Sequence, residues 1–191
     1  MKMTDLAKAS FELNEEMLGI LSREFSIQKV VGEFAQAIAG KRPQEIEKLA
    51  EEIFGRYGAG WIRRSVQLGD EYSDRTYEVL QEAIDSTGGE FWFPLIPQRY
   101  LEIAYLSALD MEYLPVLENN SRRLAYRVPD CPMFQAIRKE CGEKVAQTLP
   151  CRHACLGACR TLFQSLGRRV KIEMAATTAK NGHCEFVVAR T

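Results

Sequence analysis

The sequence has no excess of charge, with 25 lysine and arginine side chains against 26 aspartate and glutamate. A basic surplus is what holds a protein to nucleic acid or an anionic bilayer, so neither is an expected partner. Long apolar runs are also missing. No stretch approaches the ~20 apolar residues of a membrane span, and the opening MKMTDLAKASFELNEE is polar and acidic where a secretory signal needs an apolar segment. The expectation is a cytosolic protein. In that setting its six cysteines are expected as thiols rather than disulfides. Catalytic signatures are scarce too: no paired carboxylates, glycine-rich phosphate loop or Ser-His-Asp order stands out. Arg63 and Arg64, like Arg168 and Arg169, read as solvated charge pairs.

What the chain does have is concentrated in its last third. All the cysteines, Cys131, Cys141, Cys151, Cys155, Cys159 and Cys184, lie there, and both histidines, His153 and His183, are within two residues of one of them. Thiolates and imidazoles are soft metal ligands and strong nucleophiles, so this is where chemistry is expected. At 191 residues and 46% apolar, the chain is large enough for one full-sized domain, with or without a helical extension.

The first half, residues 1–110, reads as helical. Leu6, Phe11, Leu13, Met17, Leu18, Leu21 and Phe25 recur at helical spacing, and a second amphipathic stretch runs from Ile27 to about Ala39. Gly40 to Pro43 break the pattern. Helices then follow from Pro43 toward Tyr57, from Gly60 to Leu68 and from Tyr72 to Ile84, the last ended by Ser86, Thr87, Gly88 and Gly89. Phe91 to Pro97 holds two prolines three apart and is expected as an aromatic connector rather than a helix interior. After Asp110 the period shortens. The run Tyr113 to Leu117, a turn at Asn119 to Ser121, and the alternation through Leu124, Tyr126 and Val128 make a hairpin. Helices at about 131–147 and 151–166 follow, then two strands carrying Val170, Ile172, Met174 and Cys184, Phe186, Val188. The order ββ-αα-ββ over residues 111–191 predicts an α+β fold, a four-stranded antiparallel sheet covered by helices, with the helical half packed on it or forming a dimer arm.

Within 128–188 the segments DCPMFQAIRKECG, CRHACLGACRTLFQSLGRRVKIE and GHCEFVV resemble the small-molecule-binding domain named for 4-vinyl reductases. They are also similar to the family of L-2-amino-thiazoline-4-carboxylic acid hydrolases. The resemblance covers about a third of the chain. It implies a zinc site made of a helix Cys, a strand Glu, a Cys three residues later and the Cys of the final strand. The matching positions here are Cys151 or Cys155, Glu173, Ala176 and Cys184, so one thiolate is absent. The second helix Cys, Cys131 or His183 would have to replace it. Strand alternation also places Glu173 on the Lys171 side unless a bulge turns it.

Read from spacing alone, Cys151, Cys155 and Cys159 form a row on one helix face, about 6 Å apart along the axis, and such a row serves either core packing or ligation. His153 points away from that row, toward solvent. As a nucleophile Cys151 is the best placed, following Pro150 at a helix N-terminus beside Arg152 and His153, whereas Asp130 opposes ionisation of Cys131. Three functions follow as expectations. The first is a binding domain for a small apolar or aromatic ligand, with Trp92, Tyr126 and Phe163 as pocket walls or plain core. The second is a hydrolase of a small heterocycle or amide that uses Cys151. The third is a homodimeric interaction module.

Overall fold

The computed structural model describes residues 11–87, 95–109 and 111–191. Five helices come first: α1 (Glu15–Glu24), α2 (Ile27–Ala37), α3 (Pro43–Glu71), α4 (Arg75–Thr87) and α5 (Leu95–Leu109). The hairpin β1 (Val116–Asn120) and β2 (Arg123–Pro129) leads to α6 (Pro132–Cys141), α7 (Glu143–Ala146) and α8 (Arg152–Ser165). Strand β3 (Val170–Ala176), the short α9 (Thr178–Asn181) and β4 (His183–Arg190) complete the chain. The strands form one antiparallel sheet in the order β1-β2-β4-β3, so the fold is α+β as the alternation predicts.

Local chemistry sets the helix starts. Asn14 Oδ1 accepts the Met17 amide at 3.1 Å, so Phe11 and Leu13 precede α1 rather than belong to it. Pro43 occupies the first turn of α3, where its missing N–H costs nothing, and Glu45 reaches back to the Arg42 amide at 3.1 Å. The predicted break between Tyr57 and Gly60 is absent: α3 is one helix of 29 residues. Its glycines make room for a neighbour instead. A Cβ on Gly58 would fall 2.0 Å from the Ala154 carbonyl oxygen, and one on Gly157 would meet Gly55 O at 3.4 Å, so α3 and α8 pack backbone to backbone. Pro97, expected in a connector, lies in the first turn of α5, a position that tolerates proline. Helix α4 starts at Arg75 rather than Tyr72, and Asp74 Oδ1 accepts the Tyr77 amide at 3.0 Å.

The hairpin is shifted from its expected register. Asn119 and Asn120 belong to β1, and the turn is Ser121 and Arg122, with Asn120 Oδ1 accepting the amides of Arg122 and Arg123 at 3.0 Å each. The predicted helix at 131–147 is divided at Gly142, whose φ of 85° no other residue adopts cheaply. Leu124, Tyr126, Val128, Cys184, Phe186 and Val188 form the inner sheet face and are buried. Helices α5 and α8 lie against that face, where Tyr126 meets Tyr105 of α5 and Cys159 of α8, and α3 packs on both helices. A single continuous core runs from Met17 to Val188, so the helical half is packed on the sheet. Among the described residues no helix is long and apolar enough to cross a membrane.

Candidate functional site: a buried cluster of thiols

Separate turns bring the cysteines inward. Cys131 precedes α6 and Cys151 precedes α8, each at a helix start. Both are reached through left-handed backbone at residues other than glycine: Asp130 has φ 39° and Leu149 has φ 56°. Such conformations cost on the order of 1 kcal/mol each and persist only where the surroundings hold them. Cys155 and Cys159 follow on the buried face of α8, and Cys184 lies on the inner face of β4, paired across the sheet with Val128. Cys131, Cys151, Cys155, Cys159 and Cys184 are all buried and unbridged, and Cys141 alone is partly exposed.

Hydroxyl groups surround the thiols, and the charge of Arg160 reaches Cys159. The Tyr126 hydroxyl and the Cys159 Sγ are 2.9 Å apart, and the Tyr126 and Tyr105 hydroxyls are 3.3 Å apart. Thr178 Oγ1 lies 3.1 Å from Cys184 Sγ. Burial is the main influence on ionisation. It pushes the Cys131 thiol up to about 11 against the opposing amides of Phe134 and Met133, and the Cys159 thiol to about 11 against the hydrogen bond of Tyr126. Burial also raises Cys151 and Cys155 well above the ordinary thiol range. The further groups that raise Cys151 are the thiols of Cys131, Cys155 and Cys184, so these four side chains lie within electrostatic reach of one another. At neutral pH Cys131, Cys151, Cys155 and Cys159 are protonated thiols in an apolar interior.

The residues expected to act at this site are only partly brought together. Cys151, Cys155 and Cys184 converge, joined by Cys131. Glu173 does not join them: its register partner is Val187, on the outer face, and its Oε1 lies 2.5 Å from Lys171 Nζ. A bulge does interrupt β3, but it falls between Met174 and Ala176, too late to turn Glu173 inward. The zinc set implied by resemblance therefore lacks both its carboxylate and the thiolate at Ala176. Among the described residues no three histidine, cysteine, aspartate or glutamate side chains form a group that could hold a metal ion. His153, expected in solvent, is mostly buried, with Nε2 2.9 Å from Glu47 Oε1, and it ties α8 to α3. Arg64, expected to be solvated, is held by the Glu24 carboxylate at 2.9 Å.

Tyr126 and Phe163 are core, 0% and 1% exposed, and Trp92 lies outside the described residues. Tyr105 escaped sequence reasoning because α5 has apolar residues on every side and shows no helical stripe; that spread is itself the signal of a buried helix.

A groove of about 530 Å³ opens between α1, α2 and the end of α5 and reaches Pro132, which follows Cys131 in the chain. Its lining includes Leu18, Phe25, Ile27, Leu106 and Leu109, with the hydroxyls of Ser22, Ser26 and Ser107, the carboxamide of Gln28 and no charged side chain. The chain matches no family model, no curated protein and no solved structure. The resemblance drawn from the sequence thus rests on the residues that carry it.

Proposed function

We propose that this protein is a binding domain for a small, neutral, largely apolar molecule, held in the groove between α1, α2 and α5. The observation that carries the reading is the lining itself. A concavity of about 530 Å³ falls in the range of small-molecule sites, roughly 300–1,000 Å³. Its walls combine aliphatic and aromatic side chains with serine hydroxyls and the Gln28 carboxamide, all uncharged, so a charged ligand would find no counter-ion there.

A hydrolase acting through Cys151 gains no comparable support. Its thiol is fully buried and pushed away from ionisation, while His153 is engaged with Glu47. Titration with the neutral fluorophore N-phenyl-1-naphthylamine tests the binding reading. The expected result is saturable enhancement that Gly19→Phe or Ser22→Leu, both intruding on the groove, weakens at least tenfold. Unsaturable fluorescence, or equal saturation in both variants, would remove the groove from the function.

A further inference from the structure

A second concavity differs in chemistry from the first. Strand β3 is an edge strand, and α8 covers its inner face incompletely: Val170, Ile172 and Met174 remain half-buried where Phe186 and Val188 of the adjacent strand are 0% exposed. Val170 and Ile172 of this strip, with Phe163 of α8, line a groove of about 380 Å³. Its rim carries three guanidinium groups, Arg160 from α8 and Arg168 and Arg169 from the turn that follows. Arg190, the register partner of Val170, adds a fourth nearby. Gln164 and Thr191, the last residue of the sequence with its α-carboxylate, complete the lining, and no aspartate or glutamate joins them. Among the described residues Arg160, Arg169 and Arg190 make no ion pair, whereas Arg64, Arg99, Arg127 and Arg152 are each held by a carboxylate.

Bringing like charges together over an apolar floor is unfavourable unless something negative joins them. Burial first, and then the charge of Arg190, lowers the pKa of Arg168. A planar guanidinium fork matches the two oxygens of a carboxylate, and the apolar floor accepts a hydrocarbon or aromatic body. From the rim and floor together we infer that the groove between α8 and β3 is a binding site for a small organic anion, an oxyanion head group on an apolar body. The arginines take the head and Phe163, Val170 and Ile172 take the body. This site is independent of the groove between α1, α2 and α5, which would hold a neutral ligand.

Isothermal titration calorimetry with 4-phenylbutyrate, 4-phenyl-1-butanol, phenyl phosphate and inorganic phosphate tests the inference. The carboxylate should saturate at one site per chain and bind at least tenfold more tightly than the alcohol. Arg160→Gln and Arg169→Gln, both on exposed side chains, should each reduce that affinity severalfold, while Gly19→Phe should leave it unchanged. Phenyl phosphate binding more tightly than the carboxylate, with the same arginine dependence, would support the site and assign its head group to a phosphate ester. Equal affinity for acid and alcohol, indifference to both arginine substitutions, or equal binding of inorganic phosphate without an apolar body would overturn it. So would a dimer, seen by sedimentation, that either arginine substitution dissolves and that 4-phenylbutyrate leaves intact.

Discussion

Single atoms decide several of the closest contacts. Gly58 sits where any Cβ would collide with the Ala154 carbonyl, and a backbone oxygen cannot swing aside as a side chain can. Gly58→Ala should therefore destabilise the protein by about 1–3 kcal/mol in urea unfolding. Gly32, inside α2 with open space around its Cβ position, should respond oppositely, Gly32→Ala stabilising by roughly 0.5–1 kcal/mol. Thiol chemistry gives a second expectation at this scale. Five cysteines are buried, and burial raises Cys131, Cys151, Cys155 and Cys159 toward the unreactive neutral form; Cys141 alone is partly exposed. Iodoacetamide at pH 7.5 followed by mass spectrometry should label Cys141 first and the others only on unfolding. Rapid native labelling of Cys151 would return that residue to consideration as a nucleophile. The thiol row was legible in the sequence because a spacing of four fixes a helix face. The loss of Glu173 was half legible: alternation put it outward, and the position of the bulge, which depends on pairing with β4, decided the matter.

Among the elements, α5 does most to join the parts, and it was the least visible in the sequence. Helical periodicity needs a polar side, and α5 has almost none, since most of its residues from Leu95 to Leu109 are buried. The polar residues it does carry are buried and partnered. Arg99, 0% exposed, donates through Nε to Asp74 at 2.7 Å and to the carbonyls of Gly69 and Tyr72 at 2.9 Å each, fastening the end of α3 and the start of α4 to α5. Asp74→Ala would leave that guanidinium without its counter-charge and should cost about 3–5 kcal/mol by denaturant unfolding. One turn on, Glu102 is raised from 4.5 to about 7 by burial, partly offset by the hydrogen bond from Gln98. A carboxyl that holds its proton more tightly when folded stabilises the fold fully below pH 4.5, and that contribution is lost as pH rises to about 7. Glu102→Gln should therefore gain stability relative to the parent across this interval and no further above it. A constant difference from pH 4.5 to 7 would contradict the assignment. Helix α3 illustrates the opposite error of reading. Its glycines resemble breakers in one dimension, but their role is the close approach of α8, which only the packed structure reveals.

At the scale of the whole molecule, the order of strands and helices was readable from the change of period after Asp110, and the sheet follows it. Where concavities form was not readable, because each depends on elements distant in sequence. The neutral groove joins α1 and α2 to the end of α5 and to Pro132, and the basic groove joins α8 to an edge strand. Both lie along one continuous core, so ligand at either should be felt as added global stability. The central claim is that a neutral apolar molecule occupies the first groove. Amide chemical-shift mapping with N-phenyl-1-naphthylamine tests it most directly. The account predicts saturating shifts concentrated at Leu18, Ser22, Ile27 and Leu106, with the α8 and β3 groove unaffected. Shifts confined to other faces, or none at saturating concentrations, would contradict it.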